Sequence, residues 1–160
     1  MVNVVRSFAG SACCACGAAL ILSACASNPT PKPTILSGSI TASARVNPSV
    51  SQRPSPLLLR IYELKNSTAF GAADFVSLYQ RDQAELGAEM VGREELTLSP
   101  GERRPWSKTL APETRFIALF AAYRDIEHAK WRTVLPVIPG KQQHLLIQAD
   151  ELAVSAVVQP

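Results

Sequence analysis

Beyond residue 25 the chain contains no cysteine; all four, Cys13, Cys14, Cys16 and Cys25, fall in one short stretch. The body therefore has no pair for a disulfide framework and no repeated C-x2-C spacing for a thiolate metal site. Histidine is almost as scarce. His128 and His144 lie on separate segments, a poor basis for a shared metal. The motifs G-x-S-x-G, G-x-x-x-x-G-K and H-E-x-x-H are absent, as is an EF-hand loop, so no nucleophile, phosphate cradle or metal helix is announced. An excess of one charge is missing too. The formal net charge is +3, from 16 basic and 13 acidic residues, without the clustered cations a nucleic-acid partner would require. No internal repeat or low-complexity block interrupts the 160 residues, a length that suggests one domain. These absences point away from an enzyme, a metalloprotein and a nucleic-acid binder.

The cysteine-bearing stretch has its own logic. No charge occurs from Ser7 to Pro31, and Arg6 precedes the apolar run through Leu22. A short positive segment, an apolar segment and then small residues make a secretory leader. Its end, Leu22-Ser23-Ala24-Cys25, resembles the bacterial lipobox, in which cleavage after Ala24 leaves Cys25 as a lipidated first residue. An uncleaved span over residues 7–26 is the alternative, but the run is weakly apolar for that role. Each buried acyl CH2 contributes about 0.8 kcal/mol, so several chains on one cysteine anchor permanently. Ala26 follows the cysteine in place of aspartate, which by resemblance to the sorting rule of enteric bacteria favours the outer membrane. Residues 26–34, "ASNPTPKPT", carry three alternate prolines and read as an extended tether. The expected layout is a signal peptide at 1–24, lipidated Cys25 with the tether at 25–34, and a folded domain at 35–160.

Past the tether the period becomes two. Leu36, Gly38, Ile40, Ala42, Ala44 and Val46 alternate with Ser37, Ser39, Thr41, Ser43, Arg45 and Asn47, the pattern of a half-buried strand. Residues 47–56, "NPSVSQRPSP", form a loop broken by Pro48, Pro54 and Pro56. The strand from Leu57 is apolar on both faces, Leu57, Leu59 and Ile61 against Leu58, Tyr62 and Leu64, which suggests a central position. Phe75, Leu78 and Tyr79 at i, i+3, i+4 predict a helix over 72–82 packed on a sheet, with a further turn ending near Gly87. Ser99-Pro100-Gly101-Glu102 has type II turn chemistry and is expected to fold residues 91–98 and 103–110 into a hairpin. Residues 115–124 read as the central core strand. Residues 131–138 read as a strand at an edge or bulge because of Pro136. Residues 143–149 and 152–158 close a last hairpin. Seven or eight mostly antiparallel strands with one helical insert indicate a β-sandwich.

Few side chains suggest chemistry. Asp125 and Glu127 sit among Arg124, Lys130 and Arg132 and read as a solvated turn. Trp106 and Trp131 read as core covers, and Arg60 as either an edge charge or a partner of Glu95. The loop at 47–56 is long for a link between neighbouring strands, and its prolines limit what it would lose on binding.

The run "ARVNPSVSQRPSPLLLRIYELKNSTAFGAADFVSLYQRDQAELGAEMVGREEL" at 44–96, "LSPGE" at 98–102, "YRDIEHAKWR" at 123–132 and the lipobox together resemble the TssJ (SciN-type) lipoproteins of the bacterial type VI secretion system. The resemblance implies a transthyretin-like sandwich with an additional helix, facing the periplasm from the outer membrane. It implies a structural role without a cofactor, the lipid on Cys25 excepted. The implied partner is the periplasmic C-terminal region of the inner-membrane subunit TssM, in a complex that includes TssL. The family's contact loop falls here on Ser49, Val50, Ser51, Gln52, Arg53, Pro54 and Ser55. Val50, Gln52 and Arg53 offer an apolar anchor, an amide and a forked cation. The alternative is a ligand-binding lipoprotein or envelope hydrolase on the same sandwich, which requires a deep pocket lined by aromatics.

Overall fold

The computed structural model describes residues 32–159. The expected signal peptide, Ala24, Cys25 and most of the tether lie outside the described residues. Eight strands form two sheets: β1 (Thr34–Ala42), β2 (Leu57–Leu64), β3 (Met90–Leu98), β4 (Arg103–Leu110), β5 (Phe116–Ala121), β6 (Arg132–Pro136), β7 (Gln142–Ala149) and β8 (Val154–Gln159). One sheet runs β4-β1-β7-β8, the other β3-β2-β5-β6. Pairings are antiparallel except β1 with β7, which is parallel. At that pair the backbones approach so closely that a Cβ on Gly38 would run into the Leu145 carbonyl. The small residue in the first strand is thus a packing requirement.

The apolar runs on both faces of β2 and β5 have a simple cause: these strands belong to two cores. Leu57, Leu59, Ile61, Ile117 and Leu119 face the opposite sheet, with Leu36, Ile40, Trp106, Leu145 and Ile147. Tyr62, Leu64, Ala118 and Phe120 face the other way, beneath Phe70, Leu78 and Leu86. Both strands are central, as expected, and β6 lies at the edge with exposed Pro136 at its end.

Three expectations are corrected. The first strand ends at Ala42, because the chain bends and Val46 N–H donates to the Ser43 carbonyl (3.1 Å); Val46 is buried all the same. The helical insert is two helices, α1 (Thr68–Ala72) and α2 (Phe75–Leu86), separated by extended Ala73. Asp74 caps the second, accepting from Ser77 N–H at 2.9 Å. Leu78 is buried on the sheet, but Tyr79 remains 47 % exposed, stacked on Phe75.

The third correction concerns the 91–98/103–110 hairpin. The turn is as expected: Gly101 has φ +76° and Glu102 N–H donates to the Ser99 carbonyl at 3.0 Å. The strands flanking it do not pair. β3 pairs with β2 and β4 with β1, so the turn carries the chain from one sheet to the other. A tight turn at a sandwich edge serves either path. Here Trp106 and Leu110 face the intersheet core, and side chains join the two strands instead: Lys108 Nζ meets Glu94 at 3.7 Å and Arg104 donates to the Thr97 carbonyl at 2.9 Å.

Candidate partner-binding site

The strand registers give the sandwich two poles. β1 starts beside the β6–β7 connection: Ile35 N–H donates to Lys141 O at 3.0 Å and Gly140 N–H to Thr34 Oγ1 at 2.8 Å. It ends beside the 99–102 turn and the β7–β8 connection, where Ala42 N–H donates to Glu102 O and Ser43 N–H to Ala149 O, both at 2.8 Å. Eight residue steps at about 3.3 Å separate these poles by roughly 26 Å. The described chain enters at the first pole. The 47–56 loop crowns the second.

That loop is tied down at its root. Asn47 is buried, with φ +51°, a conformation that asparagine tolerates better than most residues. Its amide donates to the Pro56 carbonyl at 2.8 Å and accepts from Arg124 N–H at 2.9 Å, while its own N–H donates to Glu151 O at 3.1 Å. One residue thus joins three connections of the pole, through its side chain to Pro56 and Arg124 and through its backbone to Glu151. The tip is closed on itself: Ser49 N–H donates to Arg53 O (2.9 Å), Gln52 N–H to Ser49 O (2.8 Å) and Arg53 N–H to Ser49 Oγ (3.2 Å), with Gln52 at φ +60°. Ser49 and Ser51 hydroxyls meet at 3.0 Å. A loop so ordered has little conformational freedom left to lose on binding.

The expected site residues divide accordingly. Val50 is fully exposed at the tip, and Ser51, Gln52, Arg53 and Pro54 are exposed around it. Arg53 makes no ion pair among the described residues. Ser55 is buried; its N–H donates to Val46 O at 3.1 Å, so it closes the loop rather than presenting itself. Residues 48–52 form one wall of an open concavity of about 1000 Å³, faced by Arg124, Asp125, Glu151 and Leu152. Those four were not tied to the loop by sequence reasoning, because only the topology brings residues 124 and 151 to residue 47. The wall carries no aromatic, unlike the deep lined pocket that a ligand-binding or hydrolytic reading needs.

The electrostatics of this pole are local pairs. Arg45 bridges to Glu151 at 3.1 Å. His128 Nδ1 lies 2.9 Å from Asp125 Oδ1. The hydrogen bond to Asp125 raises the His128 pKa, and the same contact lowers that of Asp125. His128 lies in a turn and His144 on β7, and no cluster of three or more acidic, histidine or cysteine side chains suited to a metal occurs among the described residues.

Arg60, undecided from sequence, is paired beneath α2. Its Nε donates to Glu95 at 2.7 Å and its Nη1 to the Leu78 and Tyr79 carbonyls at 2.9 and 3.0 Å. Asp82 stands at the centre of this network, accepting from Tyr62 Oη at 2.8 Å and from Arg93 at 2.8 Å. Burial opposes the Asp82 charge, but the hydrogen bonds from Arg93 and Tyr62 outweigh it and hold the pKa below the ordinary carboxylate value.

The model of the family described as type VI secretion lipoprotein, VasD, EvfM, TssJ matches residues 34–152. The structure of the type VI lipoprotein TssJ1 from Pseudomonas aeruginosa is 41 % identical with a TM-score of 0.77, over 80 % of this chain and 98 % of that one. A chain in a structure of the type VI membrane complex shares the fold at 24 % identity and TM-score 0.66, over 77 % of this chain and 97 % of that one. So does a chain in the structure described as the TssM C-terminal domain from EAEC, at 23 % identity and TM-score 0.62, over 76 % and 99 %. No curated protein sequence matches the chain.

Proposed function

The chain belongs to the type VI secretion lipoprotein (TssJ) family, a family of structural lipoproteins and not of enzymes, and from that premise we propose that it tethers the periplasmic C-terminal region of TssM to the outer membrane. Lipid on Cys25, exposed by cleavage after Ala24, holds one end. The sandwich is the spacer, and the loop carrying Ser49, Val50, Ser51, Gln52, Arg53 and Pro54 takes the partner, within a complex that also contains TssL. No cofactor or turnover enters this role.

The observation that carries the reading is the opposition of the two poles. The chain enters at Thr34, beside Gly140, while the pinned loop with exposed Val50 lies at the far ends of β1 and β5. A domain anchored at the first pole presents the second to the periplasm. Val50 supplies an apolar knob and Arg53 a cation without an ion pair among the described residues, the combination expected of a small anchor with a polar surround.

Two measurements test the proposal. Cys25→Ser is expected to leave the protein out of the outer-membrane fraction and to abolish secretion; normal fractionation of that variant would sink the anchor. Replacing residues 49–54 by a short Gly/Ser link, keeping Asn47 and Ser55, is expected to weaken binding to the purified TssM periplasmic region while the melting temperature stays nearly unchanged. Equal affinity in that assay would remove the loop from the interface.

A further inference from the structure

The outer face of the β4-β1-β7-β8 sheet is almost without charge. Side chains alternate in these strands, and the outward set includes Ser37, Ser39 and Thr41 on β1 and Gln142, His144 and Gln148 on β7. Arg103, at the edge of β4, is the one formally charged member, and no carboxylate points outward from any of the four strands. An ordinary soluble surface would devote about a quarter to a third of such positions to charged residues. Near the middle, exposed Leu146 lies opposite exposed Val157, with Ser39 alongside. Charges return at the margin, at Glu102, Lys141 and Asp150. An uncharged centre with a small apolar spot and a charged rim is the anatomy of an interface. No helix covers this face among the described residues, in contrast to the other sheet.

We propose that this face pairs with the same face of a second copy of the chain in the plane of the membrane. Self-pairing is the occupancy that neutrality favours: a face without like charges meets its own copy without repulsion, and it offers a charged partner nothing to complement. The geometry agrees. Strands run from the anchored pole to the loop pole, so a two-fold axis along them brings the two faces together with both tethers on one side. Both loops then point away from the bilayer. This step rests on the lipid-anchor reading. The contact is small. Four strands at about 4.8 Å and eight residues at about 3.3 Å give roughly 500 Å² per copy, or about 1,000 Å² in total, at the lower limit of specific interfaces. The pair is therefore weak in free solution and forms when anchoring raises the local concentration.

The test uses the full chain processed and lipidated in bacterial membranes. Ser39→Cys, near the centre of the face, is oxidised in the isolated membrane fraction, and products are resolved without reductant and weighed by mass spectrometry. The expected product is a disulfide-linked pair of identical chains. Thr97→Cys, exposed on the other sheet, is expected to give none. Adding Leu146→Lys to Ser39→Cys places like charges across the axis and is expected to cut the yield by more than about tenfold. Co-expression of that variant with Ser39→Cys carrying Leu146→Asp is expected to restore a mixed pair, which a merely misfolded variant would not do. Membrane-bound Ser39→Cys protein that gives no pair, or that cross-links to a chain of another mass, overturns the proposal while leaving the anchor intact. Protein absent from the membrane fraction overturns the anchor, and this inference falls with it.

Discussion

The two outer faces of the sandwich are built on opposite rules. On the β3-β2-β5-β6 sheet, Arg60, Tyr62, Arg93 and Glu95 converge with Asp82 under α2, so the charges are spent holding a helix down. Arg132 does the same for α1, donating to the carbonyls of Phe70 and Ala73 at 3.0 and 2.8 Å. On the β4-β1-β7-β8 sheet the outward side chains, Arg103 at the edge excepted, are neutral, and among the described residues none of them hydrogen-bonds to another element. Charge on a β-strand can therefore mark a covered face, where each ion has a partner, and neutrality can mark an open one.

The largest expected effect tests the covered face. Asp82→Ala leaves the buried Tyr62 hydroxyl and the partly buried Arg60 guanidinium short of a partner, and removing one member of such a network costs about 3–5 kcal/mol. Urea denaturation reads this directly; a loss below about 1 kcal/mol would mean that α2 is held by packing alone. Next is Arg132→Met, which keeps most of the apolar stem but leaves the Phe70 and Ala73 carbonyls without this donor. It is expected to cost about 1–3 kcal/mol, with faster amide exchange in α1 and unchanged exchange in β1.

Acid separates the faces in a third way. The folded pKa of Asp82 is depressed, so its contribution is fully present above the unfolded value of about 3.9 and is lost as pH falls through the folded value. Asp82→Asn is therefore expected to flatten the acid limb of the stability profile below about pH 4. An identical acid limb in the variant would place the acid sensitivity elsewhere. No such dependence is expected from substitutions on the neutral face.

How much of this was legible in the sequence follows from range. Periodicity located the strands, and the two-faced apolar pattern of β2 and the near-continuous apolar run of β5 announced central strands; that they serve two cores depends on the helices packed outside them, which no local window shows. The Ser99-Pro100-Gly101-Glu102 turn was readable from local backbone preference. Which strand received the chain after that turn was not, because Lys108, Trp106 and Arg104 read the same whether β4 pairs with β3 or faces it. The loop at 47–56 stood out by its prolines, yet its pinning by Asn47 to residues 124 and 151 is a contact across 77 positions or more, invisible to any window. The break at Ala73 and the cap at Asp74 were available signals that the helical period of Phe75, Leu78 and Tyr79 overshadowed. Arg60 stayed ambiguous for the same reason as β4: its partner Asp82 lies on an element whose placement the local pattern does not give.

The smallest expected effect decides whether the open face is structurally idle. Gln148 lies on β7, outward, paired in register with Thr41 and Ser155, and no hydrogen bond from its side chain occurs among the described residues. Gln148→Ala then removes only exposed polar surface, and such changes alter stability by less than about 0.5 kcal/mol. Leu146, 41 % exposed, is expected to tolerate Leu146→Lys nearly as well in dilute solution, since the stem still covers Val157 while the ammonium reaches water. A loss above about 1 kcal/mol for either variant, in the monomeric domain by urea denaturation, would show that the neutral face contributes to the monomer's own stability. Its neutrality would then need no second copy to explain it. A small loss leaves the residues of that face with no role inside one chain, which is the condition under which a role between chains carries weight.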